Sequence, residues 1–293
     1  MRKEILTAAG FLAAGFLLAG CGEARADEQA REPETQSEDA GTAEPEAQSE
    51  DGGTVEAASG TTFSIMGDSI SAYEGYNPEG YHIFFPRFGE VKEVKDTWWQ
   101  QVADDLEWTL FANSSSAGAT VTGDSTGTDD PQCCCNELRT DGLAGPEGAC
   151  PDGIIIYLGA NDLLEAVPLG ENDGKRPVEE GEVVLFSDAY TLMLDKIQAK
   201  YPAAEIFCCT LPHIGTYGTQ TPYVEFVNGL GLTAADYGEA IARIAGNRGL
   251  AVIDLYECGI TVENLQETTS DGVHPTATGM HRIAEAVKKT ITG

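Results

Sequence analysis

The sequence predicts an α/β protein built on a doubly wound parallel sheet of about five strands, with helices covering both faces. Three observations predict it. Apolar runs of strand length recur five times, and several are nearly continuous, as strands buried on both faces must be. Segments with helical spacing lie between and after them, the alternation of a parallel sheet with crossover helices. No Gly-rich phosphate loop of the Rossmann or Walker type follows any of the runs, so a nucleotide-binding version of this architecture is not indicated.

Residues 1–60 precede these elements and are expected to stay outside the folded part. Arg2 and Lys3 form a short basic head, Ile5 to Gly20 carry no charge, and small residues close the stretch at Leu18-Ala19-Gly20-Cys21. This tetrad resembles a bacterial lipobox, which implies a lipoprotein signal peptide over 1–20, cleavage before Cys21 and a diacylglycerol on its sulfur. An ordinary signal peptide or an uncleaved anchor is the alternative. Residues 21–60 then read as a lipidated Cys followed by an acidic tether. The stretch is nearly devoid of apolar residues, and Glu32 to Thr42 is repeated with small changes at Glu44 to Thr54. A flexible chain of this length reaches roughly 35 Å. The folded domain is expected over 61–293.

Within it the elements follow in order. Phe63 to Met66 is the first strand. Trp99, Val102, Ala103 and Leu106 form a helical stripe behind a capping box running from Thr97 to Gln100. Trp108 to Ala112, Gly153 to Leu158 and Glu205 to Thr210 are the next three strands, with a helix marked by Tyr190, Leu194 and Ile197 before the last of these. Tyr237, Ile241 and Ile244 mark another, opened by Thr233 to Asp236. Leu250 to Leu255 is the fifth strand, and Met280, Ile283, Ala284 and Val287 give the closing helix.

Charge excludes some partners. The formal net charge is −31, and the tether's twelve acidic residues against two Arg account for only part of it. So acidic a domain is repelled by nucleic acid and by anionic headgroups within a Debye length. Of eight Cys, seven remain once Cys21 is set aside. An odd number leaves at least one thiol free or paired between chains. One of Cys133, Cys134 and Cys135 could bridge to Cys150. Zinc is disfavoured because three consecutive Cys lack the spacer that aims two thiolates at one metal. Cys208 and Cys209 lie in a strand and read as buried thiols.

Ester cleavage needs an activated hydroxyl, a base, a group orienting the base, and donors for the oxyanion. Gly67-Asp68-Ser69-Ile70 follows the first strand directly, which puts Ser69 on a strand-to-helix turn. Asp271-Gly272-Val273-His274-Pro275 precedes the last helix, on a turn short enough for the carboxylate to hold the imidazole. Two further blocks lie between them, Ser116-Ala117-Gly118-Ala119-Thr120 and Gly159-Ala160-Asn161-Asp162. In this order and spacing the four blocks resemble those of the SGNH (GDSL-type) hydrolase superfamily and span the domain from first strand to last helix. The resemblance implies a three-layer α/β/α sandwich of flavodoxin-like strand order. It also implies a Ser69, His274 and Asp271 triad acting through an acyl-enzyme, and an oxyanion hole from the N–H groups of Ser69 and Gly118 and the amide of Asn161. No cofactor or metal is implied. One departure stands out. The Asn-containing stretch that often follows the fourth strand in the family has no counterpart, and Leu211-Pro212-His213 marks its place.

Gly123-Asp124-Ser125-Thr126-Gly127 repeats Gly-Asp-Ser and fits a Gly-x-Ser-x-Gly elbow, but the polar run around it lacks the buried strand an elbow needs. A loop Ser125 is expected there, and Asp124, Asp129 and Asp130 do not complete a calcium spacing. His281 reads as solvated or packed, and His213 is a candidate substrate contact. Between 72 and 96, Tyr73, Tyr76, Tyr81, Phe84, Phe85 and Phe88 follow neither period. They form either a lid or platform beside Ser69 or a loop packing its own aromatics against Trp98 and Trp99.

The expectation is therefore an exported, lipid-anchored serine esterase acting on short acyl or acetyl esters of glycans. The alternatives are a lysophospholipase or lipase-type acyl hydrolase and a non-catalytic carbohydrate-binding lipoprotein on the same fold.

Overall fold

A computed structural model of the chain describes residues 60–218 and 221–293. The expected signal peptide over 1–20, Cys21 and the tether to residue 59 lie outside the described residues. Among the described residues no helix is long and apolar enough to cross a membrane.

In chain order the described elements are β1 (Thr62–Gly67), α1 (Trp98–Leu106), β2 (Thr109–Ser115), β3 (Gly123–Asp124), α2 (Glu137–Asp141), β4 (Gly153–Tyr157), α3 (Ala160–Leu164), β5 (Glu182–Val183), α4 (Phe186–Lys200), β6 (Glu205–Cys209), α5 (Ala234–Asn247), β7 (Ala251–Ile253), α6 (Leu265–Thr268) and α7 (Ala277–Thr292). All five expected strands form, within a few residues of the apolar runs. They make one sheet in the order β2-β1-β4-β6-β7, and every neighbouring pair is parallel. Counted by these strands alone the order is 2-1-3-4-5, the flavodoxin-like order.

The chain reverses direction across the sheet at β1. With right-handed crossovers, the β1–β2 connection carrying α1 therefore covers one face and the connections carrying α4 and α5 cover the other. Accordingly α1 packs on α7, and α4 on α5. Both faces of the centre are thus dry. Every residue of β1 and β4 is buried, and Ile154, Ile155, Ile156 and Tyr157 have no exposed surface. Burying an aliphatic side chain of this size contributes about 1.5–3 kcal/mol.

Two helix starts differ instructively. At α5 the box closes as expected, the Asp236 carboxylate accepting from the Thr233 N–H at 2.7 Å and from its hydroxyl at 2.9 Å. At α1 only half of the box forms. The Thr97 hydroxyl oxygen accepts from the Gln100 N–H at 3.3 Å, but the Gln100 side chain donates to Asp104 and the Thr97 N–H goes to Val94 O. A short 3-10 turn ending at Asp96 reaches the Thr97 N–H first.

β3 and β5 pair antiparallel, apart from the main sheet. Ser125 follows β3 and is fully buried, and its hydroxyl oxygen accepts from the Gly181 N–H at 2.9 Å. The seven cysteines among the described residues are all free thiols, with Cys133, Cys134 and Cys135 buried and Cys150 exposed. The considered bridge to Cys150 is therefore not formed. Instead Cys133 Sγ lies 3.4 Å from Cys135 Sγ, in a turn held by Cys134 N–H donating to Thr120 O and Cys135 N–H donating to Val121 O. Cys208 and Cys209 are buried thiols in β6, as expected.

Candidate active site

The carboxyl ends of β1 and β4 flank the point where strand order reverses, the place where such sheets open a crevice. Ser69 follows β1 by two residues and Asn161 follows β4 by four. The turn Asp271 to His274 enters from the C-terminal side, ahead of α7. These segments, distant in sequence, line one cleft of about 360 Å³ with Phe84, Gly118, Leu164 and Tyr217 among its walls.

Each side chain is held by local chemistry. The Asp271 carboxylate closes its own turn, one oxygen accepting from the N–H groups of Val273 at 3.0 Å and His274 at 2.8 Å. Its other oxygen lies 2.7 Å from His274 Nδ1. Burial pushes this carboxyl up, but the hydrogen bond and charge of His274 and the two N–H groups outweigh it and hold it below its ordinary value. A carboxylate only accepts, so Nδ1 carries the proton and Nε2 is left as the acceptor. Ser69 Oγ stands 2.9 Å from Nε2, and both residues are about 7 % exposed. A hydroxyl bonded to an imidazole that is bonded to a carboxylate can lose its proton as it attacks.

Gly272 makes this turn possible. It has φ +91°, and a Cβ there would lie 2.5 Å from Thr216 O. The close approach lets the chain after β6 donate Gly215 N–H to Gly272 O at 2.7 Å and Gly218 N–H to Asp271 O at 2.9 Å. Tyr223 Oη adds a bond to Ser270 O at 3.1 Å.

In the lining of the same cleft, the backbone turns at Gly118, φ +85°. Among the described residues neither the Ser69 N–H nor the Gly118 N–H has an acceptor. Asn161 spends one amide hydrogen on Ala119 O at 2.9 Å and keeps the other. Unpaired donors lining one cleft are what a developing oxyanion needs.

Other expected residues fall elsewhere. His213 lies outside the cleft lining, with Nδ1 3.3 Å from Glu225 Oε1 and its ring against Tyr256 at 4.0 Å. His281 bonds Gln101 and His82 bonds Gln132, both at the surface. Asp124 accepts from the N–H and hydroxyl of Thr126, and the described residues hold no cluster of three metal-ligating side chains.

Three supporting residues were given no individual role by the sequence. Asp162, fully buried, accepts from the Val121 N–H at 2.9 Å and from Thr122, tying the turn after β4 to the turn after β2. Burial pushes its carboxyl up to about 7 against those bonds. Arg139, also fully buried, donates to Gly67 O at 2.8 Å, Ser114 O at 2.6 Å and Pro131 O at 2.5 Å, clamping the ends of β1 and β2. Burial pushes Asp68 up to about 6, while the Ile70 N–H and the charges of His274 and Arg139 pull it down. The third is Phe84, whose ring stacks on His274. Asp162 ends the Gly159-Ala160-Asn161-Asp162 block, the sequence signal that points to it. Arg139 and Phe84 carried no signal, one being a single cation before a loop and the other one of six unpatterned aromatics.

The model of the GDSL-like lipase/acylhydrolase family matches residues 61–219. No curated protein matches the chain. Among solved structures, a candidate GDSL-like lipase from Bacteroides ovatus is 25% identical, with a TM-score of 0.59, over 80% of this chain and 99% of its own. One from Bacteroides uniformis is 20% identical at TM-score 0.58, covering 80% of this chain and 96% of its own. A Lactobacillus plantarum protein is 23% identical at TM-score 0.58, covering 80% and 98%. The last two are likenesses of fold.

Proposed function

This chain belongs to the GDSL-like lipase/acylhydrolase family and is a carboxylic ester hydrolase, and from that premise we propose that it is a serine esterase working through a Ser69, His274 and Asp271 triad on esters of short acyl groups, with acetylated glycans as the substrate class. The observation that carries the triad is the continuous chain of two hydrogen bonds, 2.9 Å and 2.7 Å, across 205 and three residues of sequence.

In this reading Ser69 Oγ attacks the acyl carbonyl while its proton passes to His274 Nε2. Negative charge gathers on the former carbonyl oxygen, facing the N–H groups of Ser69 and Gly118 and the free amide hydrogen of Asn161. The imidazolium, held by Asp271, gives its proton to the departing alkoxide. Water then attacks the acyl-enzyme with His274 again as base, releasing the acid and restoring Ser69.

The short acyl preference rests on volume. About 360 Å³ lies at the small end of ligand cleft sizes and must hold acyl and alcohol parts together. The glycan assignment rests on charge, since a strongly acidic protein is repelled by anionic lipid surfaces. We extend the proposal to location, with export directed by residues 1–20 and a lipid on Cys21.

A panel of p-nitrophenyl esters with two to twelve acyl carbons tests the size argument. Expected is the highest kcat/KM at two to four carbons, with O-acetylated xylan preferred over lysophospholipid. A maximum at the long end would replace the glycan reading with the lipase one. Asn161→Ala is expected to lower kcat by about 10²–10³ in the same assay, and wild-type kcat would take Asn161 out of the oxyanion hole.

A further inference from the structure

Resting on the triad proposed above, we infer that Phe84 is a positioning residue for the base, its ring face holding the imidazole in register with Ser69 and Asp271 and stabilising the imidazolium that forms during turnover. The ring centroids of Phe84 and His274 are 3.7 Å apart and their planes differ by 12°. Two neutral aromatic rings avoid so complete an overlap and prefer offset or edge-on contact. A cation over an aromatic face is attracted to it. The observed stack is thus suited to the protonated imidazole, a state present only between proton uptake from Ser69 and proton delivery to the leaving group. An interaction stronger in that state than in the resting one raises kcat without tightening substrate binding.

Phe84 is rigidly presented. Its edge contact with the fully buried Phe85 places the centroids 4.9 Å apart at 80°. Phe85 N–H donates to Ala72 O at 3.0 Å and Phe85 O accepts from Glu74 N–H at 2.8 Å, strapping this segment to the loop that follows Ser69. Two residues before Phe84, His82 O accepts from Ala117 N–H at 2.8 Å and His82 N–H donates to Ser116 Oγ at 3.0 Å, strapping the segment to the turn that carries Gly118. The same four residues therefore touch the nucleophile loop, the oxyanion turn and the base. Among the described residues, Tyr217 is the other aromatic ring recorded against the imidazole, at 6.2 Å and 73°. The charged groups facing it are Asp271 and, more deeply, Asp68. The aromatic insertion is then neither purely a lid nor purely self-packing, since Phe85 and Tyr73 anchor it in the core while Phe84 serves the site.

The test compares Phe84→Leu, Phe84→Tyr and His274→Ala with the unaltered full chain, measuring kcat and KM for p-nitrophenyl acetate, with circular dichroism and thermal midpoints to confirm folding. Leu keeps apolar bulk and loses the ring face, whereas Tyr keeps the face. Expected is a loss of about tenfold in kcat for Phe84→Leu with KM within about twofold, and recovery to within about twofold of wild type for Phe84→Tyr. Wild-type kcat in Phe84→Leu, an effect confined to KM, or equal losses in Leu and Tyr would each overturn the inference while leaving the triad standing, provided His274→Ala is inactive. Unchanged turnover in His274→Ala would instead reject the triad itself.

Discussion

Ser69→Ala is expected to lower kcat by a factor on the order of 10⁶, whereas Ser125→Ala is expected to keep kcat/KM within about twofold of wild type and to lower the thermal midpoint. The two serines sit in the same Gly-Asp-Ser triplet, but only Ser69 directly follows an apolar run of strand length. Their surroundings separate them. Ser69 Oγ faces His274 Nε2 at 2.9 Å at the mouth of a cleft. Ser125 Oγ is buried and accepts from the Gly181 N–H, while Lys196 Nζ donates to the Ser125 carbonyl at 2.8 Å. Removing that hydroxyl leaves an N–H without its acceptor, which costs about 1–3 kcal/mol of stability and no chemistry. Turnover of p-nitrophenyl acetate and thermal melts on both variants check this. Activity surviving in Ser69→Ala would end the acyl-enzyme reading.

The second large effect is Asp271→Asn, for which a drop of about 10⁴ in kcat with little change in KM is expected. The amide oxygen can still accept from the Val273 and His274 N–H groups, so the turn survives. Its NH₂ then faces Nδ1, which must become the acceptor. The ring proton moves to Nε2 and points at Ser69, and the base is lost without any atom leaving its place. The same substitution has a stability signature. The Asp271 carboxyl is held below its ordinary value in the folded state, so its ionised form contributes stability that is present above the unfolded pKa of about 4 and is lost as pH falls through the folded value. Wild type is therefore expected to melt higher than Asp271→Asn at pH 6 to 8, by a margin that shrinks below about pH 4. A margin independent of pH would mean that the carboxylate's bonds to His274 do not stabilise the fold.

Much of this molecule was legible in one dimension. Apolar runs such as Gly153 to Leu158 announce strands buried on both faces, because a continuous apolar run is stable only where water is excluded from each side. The stripe Met280, Ile283, Ala284 and Val287 announces α7 for the same reason at a period of 3.6. The candidate triad was legible because each half is local. Ser69 is fixed by the strand that ends two residues before it, and Asp271 reaches His274 within one turn. What tertiary structure alone decided involves groups whose sequence gives no period and whose partners are far along the chain. Phe84 meets His274 across 190 residues, and Arg139 meets Gly67 across 72. The polar run around Ser125 already set it apart from Ser69, but its buried bond to Gly181, 56 residues away, was decided by packing. Even the capping box at Thr97, a local pattern, was half undone because a preceding turn satisfied the same N–H first. A repeating pattern states which side of an element meets water, and that is enough to order strands and helices. Which irregular loop lands on which ring depends on the finished packing, where many segments compete for the same hydrogen bonds and the same volume.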